Sequence, residues 1–385
     1  MSGTELGDDF THPNPSFVSA HRRCREVEKD LMVQVSRNPS DMVLRKQLVN
    51  VRIMGHLLKV GPTDAAKSHI STTINSEATD EALIARGAFY DRFFIRTCWL
   101  VKGPTPQEST DHSRPSFRQT LAEVQKQLQR SPSDHQEAKK SALARDNYRC
   151  LLSGTMDLNS YLDHDELRAQ LPEGMCAHIF SESTNVGMDD PMKIFSSCSV
   201  VSSDLLCPKK DYAANAWTII KHFGFSNILK DLEGGNIHRL ENILTLQYDL
   251  HVHFDNLALW LEPTVRFPHF LLSRLTNSQD IENRYKVGTT MDYIFELRIV
   301  PRFVDFTSTR SDLPLPSKEY LCIHAACCRV AHMSGAVEYL NCLGDDDPFK
   351  SKVRSYDPVG SDFGDVLAAR LYEVSEIRSA ASVGA

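Results

Sequence analysis

The sequence predicts an α+β fold: a helical N-terminal region, then a part in which short strands alternate with helices. Three observations carry that expectation. Apolar residues recur at helical spacing through much of the first hundred positions. From residue 145 to 262 short apolar runs such as "MCAHIF" and "LALWLEP", interrupted by Gly and Pro, take over. The chain then reaches "SKEYLCIHAACCRVAHMSGAVEYLN", a helix rich in small residues and suited to close packing on a neighbour.

In chain order, residues 1–18 are mostly polar and interrupted by proline, and read as disordered. Residues 19–135 form the helical region, whose role the sequence leaves open. Its first helical stretch runs from Ser19 to about Gly61. There "RNPSD" offers Asn38 as an N-cap with Pro39 at the first helical position. Leu44, Leu48 and Val51 then mark one apolar face. A second stretch, Thr79 to Val101, contains the aromatic "GAFYDRFFIRTCWLV". "KGPTPQESTDHSRPS", 102–116, reads as a linker, and "FRQTLAEVQKQLQR" as an amphipathic helix. Ser133 and Gln136 in "SPSDHQEAKKSALARD" are placed as a capping box.

Residues 136–262 begin with that helix and continue with "YRCLLSG" and "MCAHIF" as short strands. "KKDYAANAWTIIKHFGF" follows as a helix with Trp217, Ile220 and Phe223 on one side. "LEGGNIHRLEN" is a loop, and "LALWLEP" a strand ended by Pro263. In residues 263–342, "YIFELRIV" alternates as a strand with one wet face would, and the small-residue helix follows. Residues 343–385 are polar and read as a mostly disordered tail, with one short helix near "DVLAARLYEVS".

Composition narrows the function. The 385 residues carry a net charge of −7, which counts against a surface that neutralises many phosphates, although a local basic patch stays compatible with it. The N-terminus has no basic start followed by an apolar run, and no stretch approaches the ~20 apolar residues of a spanning helix. The expectation is a soluble intracellular protein without membrane contact, with nucleus and cytoplasm unresolved. None of the ten cysteines forms a CxxC pair, so they read as buried thiols rather than a zinc ribbon.

One stretch stands apart. "RLENILTLQYDLHVHFDNLALWLEP", 239–263, sets Glu, Asn, His and Asp among Leu, Ile, Phe and Trp. Upstream, "CAHIF" carries His178. Taken alone, each polar residue has an ordinary structural reading: a half-buried strand histidine, a loop-capping asparagine, a surface histidine. Taken together, His178, Asn242 and His251 follow the order of a strand histidine, a loop asparagine and a helix histidine. "RDNYRCLLSG", "AHIF" and "NILTLQYDLHVHFD" resemble the HNH, or ββα-metal, nuclease domain, in the form found in uncharacterised fungal proteins. The resemblance spans roughly Arg145 to Leu343.

What the resemblance implies is a metal-dependent endonuclease that hydrolyses phosphodiester bonds of nucleic acid, DNA in the first instance. His178 would be the general base, Asn242 would close the loop and orient it, and His251 would hold one divalent ion. Imidazole suits a base because its ordinary pKa of ~6.5 leaves it mostly neutral near pH 7. Many members place a metal ligand directly before the base, where this chain has Ala177. Asp255, four residues after His251 on one helical face, is the favoured replacement, and His253 is an additional candidate. Such a donor set suits Mg²⁺ or Mn²⁺. The sixty-odd residues between His178 and Asn242 imply an insertion at about 185–235 that contains the helix around Trp217. Ala177 and the acidic balance support the alternative, a catalytically inactive binding or regulatory module. His324, His332, Cys150 and Cys176 are read as packing residues.

Overall fold

Side-chain caps set the helices of the N-terminal region. The protein is known from a computed structural model, which describes residues 3–99, 135–156, 175–180, 209–232, 234–264 and 283–343. Helix α1 (Pro15–Arg37) starts where Asn14 accepts from the Ser16 amide, with proline at the first helical position. Helix α2 (Met42–Val60) starts where the Asp41 carboxylate accepts from the amides of Val43 and Leu44. Thr63 and Thr79 cap α3 (Asp64–Ser76) and α4 (Asp80–Tyr90) in the same way. A π turn, Asp91–Ile95, and a last α turn, Arg96–Trp99, prolong α4.

Two expectations change here. Asn38 ends α1 instead of starting α2: its amide donates to the Gln34 carbonyl. The cap of α2 is Asp41, whose carboxylate reaches two of the orphan amides of the first turn. Helix α3 was not expected, although Thr63 followed by Ala66, Ile70 and Ile74 at four-residue spacing marks it. Helix α2 is buried continuously from Leu48 to Leu58 and lies at the centre of the bundle, packed by α1, α3 and α4.

The start of the chain corrects the expectation of disorder. Residues 3–14 have no helix or strand, yet Leu6 is completely buried against Gly55. The Leu6 amide donates to both carboxylate oxygens of buried Glu28, at 3.3 and 3.1 Å. Its carbonyl meets His21 Nε2 at 3.2 Å and Lys59 Nζ. The Thr4 amide donates to the Met333 carbonyl at 2.7 Å, and the Thr4 carbonyl meets His56 Nε2 at 2.8 Å. Composition counts apolar side chains, but this strap is held by buried Leu6, by Phe10 stacked on His21, by main-chain hydrogen bonds and by the ion pairs of Glu5 and Asp8 with Arg25.

The second half builds two small antiparallel sheets. Strand β1 (Met175–His178) pairs with β2 (Ile243–Leu246) in the register Met175↔Leu246 to His178↔Ile243. Helix α5 (His135–Arg145) packs on both strands. Helices α6 (Lys209–His222) and α7 (Ile228–Leu232) lie between the paired strands in sequence, with Trp217, Ile220 and Phe223 buried as expected. A single residue, Gln247, separates β2 from α8 (Tyr248–Asp255), which packs back on β1. Strands β3 (Leu259–Pro263), β4 (Arg284–Thr289) and β5 (Phe303–Asp305) form the other sheet, in that order.

"YIFELRIV" is not a strand. Its first residues form a single helical turn, Tyr293–Glu296, with Ile294 buried and Leu297 exposed. The strand role falls instead to "RYKVGT", where Tyr285 and Val287 are buried on either side of exposed Lys286. The turn reverses the chain so that β5 can pair with β4. "YRCLLSG" likewise forms a turn, with an isolated bridge between Arg149 and Met156 and left-handed backbone at Gly154. Its Leu151 amide donates to the Thr245 carbonyl of β2. The C-terminal helix is two helices, α9 (Lys318–Ser334) and α10 (Ala336–Leu343), divided at Gly335 with φ 81°. The 102–116 linker, the 117–130 helix, Ser133 and the tail helix lie outside the described residues.

Helix α9 joins the halves by packing on α2 and on β3. One apolar cluster therefore runs from Leu6 through α2 and α4 to Phe254, Leu261 and Tyr339. A smaller cluster places Ala138, Ala142 and Leu143 of α5 against Cys176, Ile243 and Leu313. Among the described residues no helix is long and apolar enough to cross a membrane.

Candidate functional site

Arg145 and Asn242 shape the loop that enters β2. Arg145 is fully buried. Its Nε and one Nη donate to the Asp146 carboxylate, both at 2.7 Å. Its remaining bonds reach the carbonyls of Leu240 at 2.9 Å, Ile243 at 3.0 Å and Pro314 at 3.2 Å. The five donors of the guanidinium thus meet five acceptors, which a buried charge requires. The Arg-Asp pair of "RDNYRC" is therefore a scaffold that fixes residues 240–243, and Cys150 beside it is a buried thiol.

Asn242, also fully buried, uses its whole amide. Oδ1 accepts from the Phe180 amide at 2.8 Å, while Nδ2 donates to the carbonyls of Phe180 at 2.7 Å and Ile237 at 2.8 Å. Its backbone carbonyl accepts from Ile179 at 2.8 Å. One side chain thus ties the exit of β1 to the 3₁₀ turn Gly234–His238. Both tied segments end in a histidine's neighbourhood, because His178 precedes Ile179 and His238 follows Ile237.

Those two histidines meet. His178 Nε2 lies 3.4 Å from His238 Nδ1, with the rings edge to face at 5.5 Å between centroids. Alternation along β1 buries Ala177 completely in the core and leaves His178 half-buried on the other face. Ala177 cannot be replaced by a ligand from its own position without turning that ligand into the core.

Helix α8 divides its faces in a similar way. Leu250 and Phe254 are buried, and Phe254 stacks on His324 of α9 at 3.9 Å. His332 Nε2 contacts the Leu257 carbonyl at 3.0 Å, so the two α9 histidines hold α8 and the turn that follows it, as their packing reading expected. The adjacent face carries His251 and Asp255, with Nε2 and Oδ2 3.2 Å apart. His253 points elsewhere, toward the Tyr293 hydroxyl at 3.5 Å, and burial holds its pKa below the usual histidine value. Among the described residues no group of three or more His, Cys, Asp or Glu side chains is placed to hold a metal ion.

The polar residues of 239–263 thus have separate tasks. Asn242 builds the loop, His251 and Asp255 pair on a half-exposed face, and the apolar residues clamp the helix that presents them. His238 is the residue that sequence reading passed over. Its signal was its place in "NIHRLEN", four residues before Asn242, which brings it to the loop that the asparagine closes. Searches with protein-family models, among curated proteins and among solved structures found no match to the chain.

Proposed function

We propose that this chain is a metal-dependent endonuclease of the ββα-metal type, acting on nucleic acid, with DNA as the first substrate to test. The observation that carries the reading is the hairpin-plus-helix unit β1–β2–α8, with His178 ending β1, Asn242 clamping the loop and His251 on the helix. His178 takes a proton from water, and Asn242 fixes the backbone on which the imidazole sits.

His251 and Asp255 fit one divalent ion by spacing. Two donors each ~2.1 Å from an ion and roughly at right angles lie ~3 Å apart. Their observed separation is 3.2 Å, a value that a His–Asp hydrogen bond shares. Two protein donors leave the remaining positions to water and phosphate oxygens, which suits Mg²⁺ or Mn²⁺ better than a closed zinc site. When bound, such an ion supplies positive charge against the charge that grows on the scissile phosphate.

A second reading, a binding or regulatory module without catalysis, is supported by the acidic charge balance and by buried Ala177, which stands where a further ligand would be expected. Labelled duplex DNA and RNA incubated with the full chain and Mn²⁺ separate the two. The nuclease reading expects shortened products that disappear with a chelator. Retention of intact oligonucleotide in a gel shift, with a steep loss on adding salt, would instead favour the module.

A further inference from the structure

Residues 3–8 are held as a bound peptide is held, by side chains that read the main chain. Arg52 Nη1 donates to the Gly3 carbonyl at 3.4 Å, and His56 Nε2 to that of Thr4 at 2.8 Å. Glu28 takes the Leu6 amide, while His21 Nε2 and Lys59 Nζ donate to the Leu6 carbonyl. Leu6 fills a pocket over Gly55, where a Cβ would fall on its methyl groups. Gly3 lies against the α9–α10 junction, where a Cβ would come within 2.9 Å of the Gly335 amide nitrogen. Arg25 and Lys29 reach the Asp8 carboxylate at 3.3 and 2.8 Å, and Arg25 that of Glu5 at 3.3 Å. We infer that the groove formed by α1, α2 and the α9–α10 junction is a peptide-binding site, occupied by the chain's own residues 3–8. In trans it takes a short acidic segment of a partner protein anchored by one leucine. This goes beyond the nuclease reading and does not depend on it.

Packing alone does not call for such a groove. Of residues 3–8 only Leu6 is buried, and an apolar pocket would hold one leucine without help. Instead His21, Glu28, Arg52 and His56, all buried, turn their polar atoms to the strap, and Glu28 is bonded by Arg25 at 2.8 Å and Arg52 at 2.6 Å. Buried charge is costly unless it is paired, and water can take the place of the strap's peptide groups when the groove opens. The site therefore suits a ligand that leaves and is replaced. The partner's charge follows from the groups that reach the strap: Arg25, Lys29, Arg52 and Lys59 against the single carboxylate of Glu28. A chain with a net charge of −7 thus presents a local cationic groove. Beside Glu5 an open cleft of about 350 Å³, lined also by Arg25, Lys29, Met32, Val33 and Ser36, continues the groove along α1. It gives a longer partner segment room that the strap leaves unfilled.

Fluorescence anisotropy with a labelled peptide of residues 3–10, GTELGDDF, tests this on the full chain. Leu6→Asp withdraws the resident strap and leaves every groove residue in place. The peptide should then bind at least ~100-fold more tightly than to the unaltered chain, where the tethered strap competes at high effective concentration. A peptide with aspartate in place of the leucine should lose this binding, as should Gly55→Leu added to Leu6→Asp, which fills the pocket. A scrambled peptide that binds equally, or a Leu6→Asp chain with unchanged helical circular dichroism that binds no peptide, would overturn the inference. If Leu6→Asp does not fold, the unaltered chain decides. An excess of the peptide with a diazirine-bearing leucine should cross-link to α2 around Gly55 on irradiation, and labelling that misses α2 would equally overturn it. DNA cleavage, present or absent, bears only on the proposed function.

Discussion

Asn242 holds the Phe180 peptide from both sides, accepting from its amide at 2.8 Å and donating to its carbonyl at 2.7 Å. The pairing makes a loop residue part of the β1–β2 hairpin, where it extends the ladder beyond His178↔Ile243 by a side chain. Asn242→Ala leaves one amide and two carbonyls without these partners in a buried place. The expected cost is about 2–4 kcal/mol of unfolding free energy. Urea unfolding measures it, and Asn242→Asp is expected to lose at least as much, since a buried carboxylate would face two carbonyls.

The N-terminal strap contributes to stability although it has no regular structure. Leu6 is completely buried, and its peptide groups are bonded by Glu28 and His21. Leu6→Ala should lower the unfolding free energy by about 2–4 kcal/mol. It should also expose the first fifteen residues to early cleavage in limited proteolysis. A strap that only lay on the surface would show neither effect.

Acid should weaken the same region. Burial lowers the pKa of His21 to about 4, assisted by the nearby charge of Lys59, and burial lowers that of His56 to about 4 against the opposing pull of its bond to the Thr4 carbonyl. Unfolded histidine titrates near 6.5. Between these values the unfolded chain binds more protons, so stability is complete above about pH 6.5 and falls as pH drops toward 4. The urea midpoint followed over this range should show the decline. A variant with both His21→Gln and His56→Gln should show a shallower one.

The His251–Asp255 pair should matter for metal and little for folding. It is a partly exposed pair on one helix, and such pairs contribute about 0–1 kcal/mol. Asp255→Asn is expected to leave the unfolding midpoint nearly unchanged. Titration calorimetry with Mn²⁺ should show about tenfold weaker binding in that variant, and in His251→Asn. His253→Asn, on the face toward Tyr293, should bind as the unaltered chain does.

How much of this was legible in the sequence depended on whether a signal was local. The helices α1, α2 and α6, the strand β1 and the strand β3 follow from periodicity and from Gly and Pro punctuation. The cap of α2 was misplaced because Asn38 and Asp41 are both good caps, and only the hydrogen bonds decide between them: the Asn38 amide donates to Gln34 at the end of α1, while Asp41 accepts from Val43 and Leu44. "YIFELRIV" alternates like a strand, but the need to reverse between β4 and β5 overrides that pattern. The division of α9 from α10 rests on a single glycine in the left-handed region.

At the candidate site, the separate faces of His251 with Asp255 and of His253 follow from helical geometry, and the structure has that arrangement. The role of Arg145 was not legible, because its acceptors at Leu240, Ile243 and Pro314 are far away in sequence. The contact of His238 with His178 was hidden for the same reason, as sixty residues separate them.

The central claim is that His178 is a base in metal-dependent strand cleavage, and nicking of supercoiled plasmid tests it most directly. With Mg²⁺ or Mn²⁺ the full chain should convert supercoiled DNA to open circles, and His178→Ala should lose this while its thermal midpoint stays close to that of the unaltered chain. Equal nicking by the two proteins, or none by the unaltered chain under any divalent ion, would contradict the account.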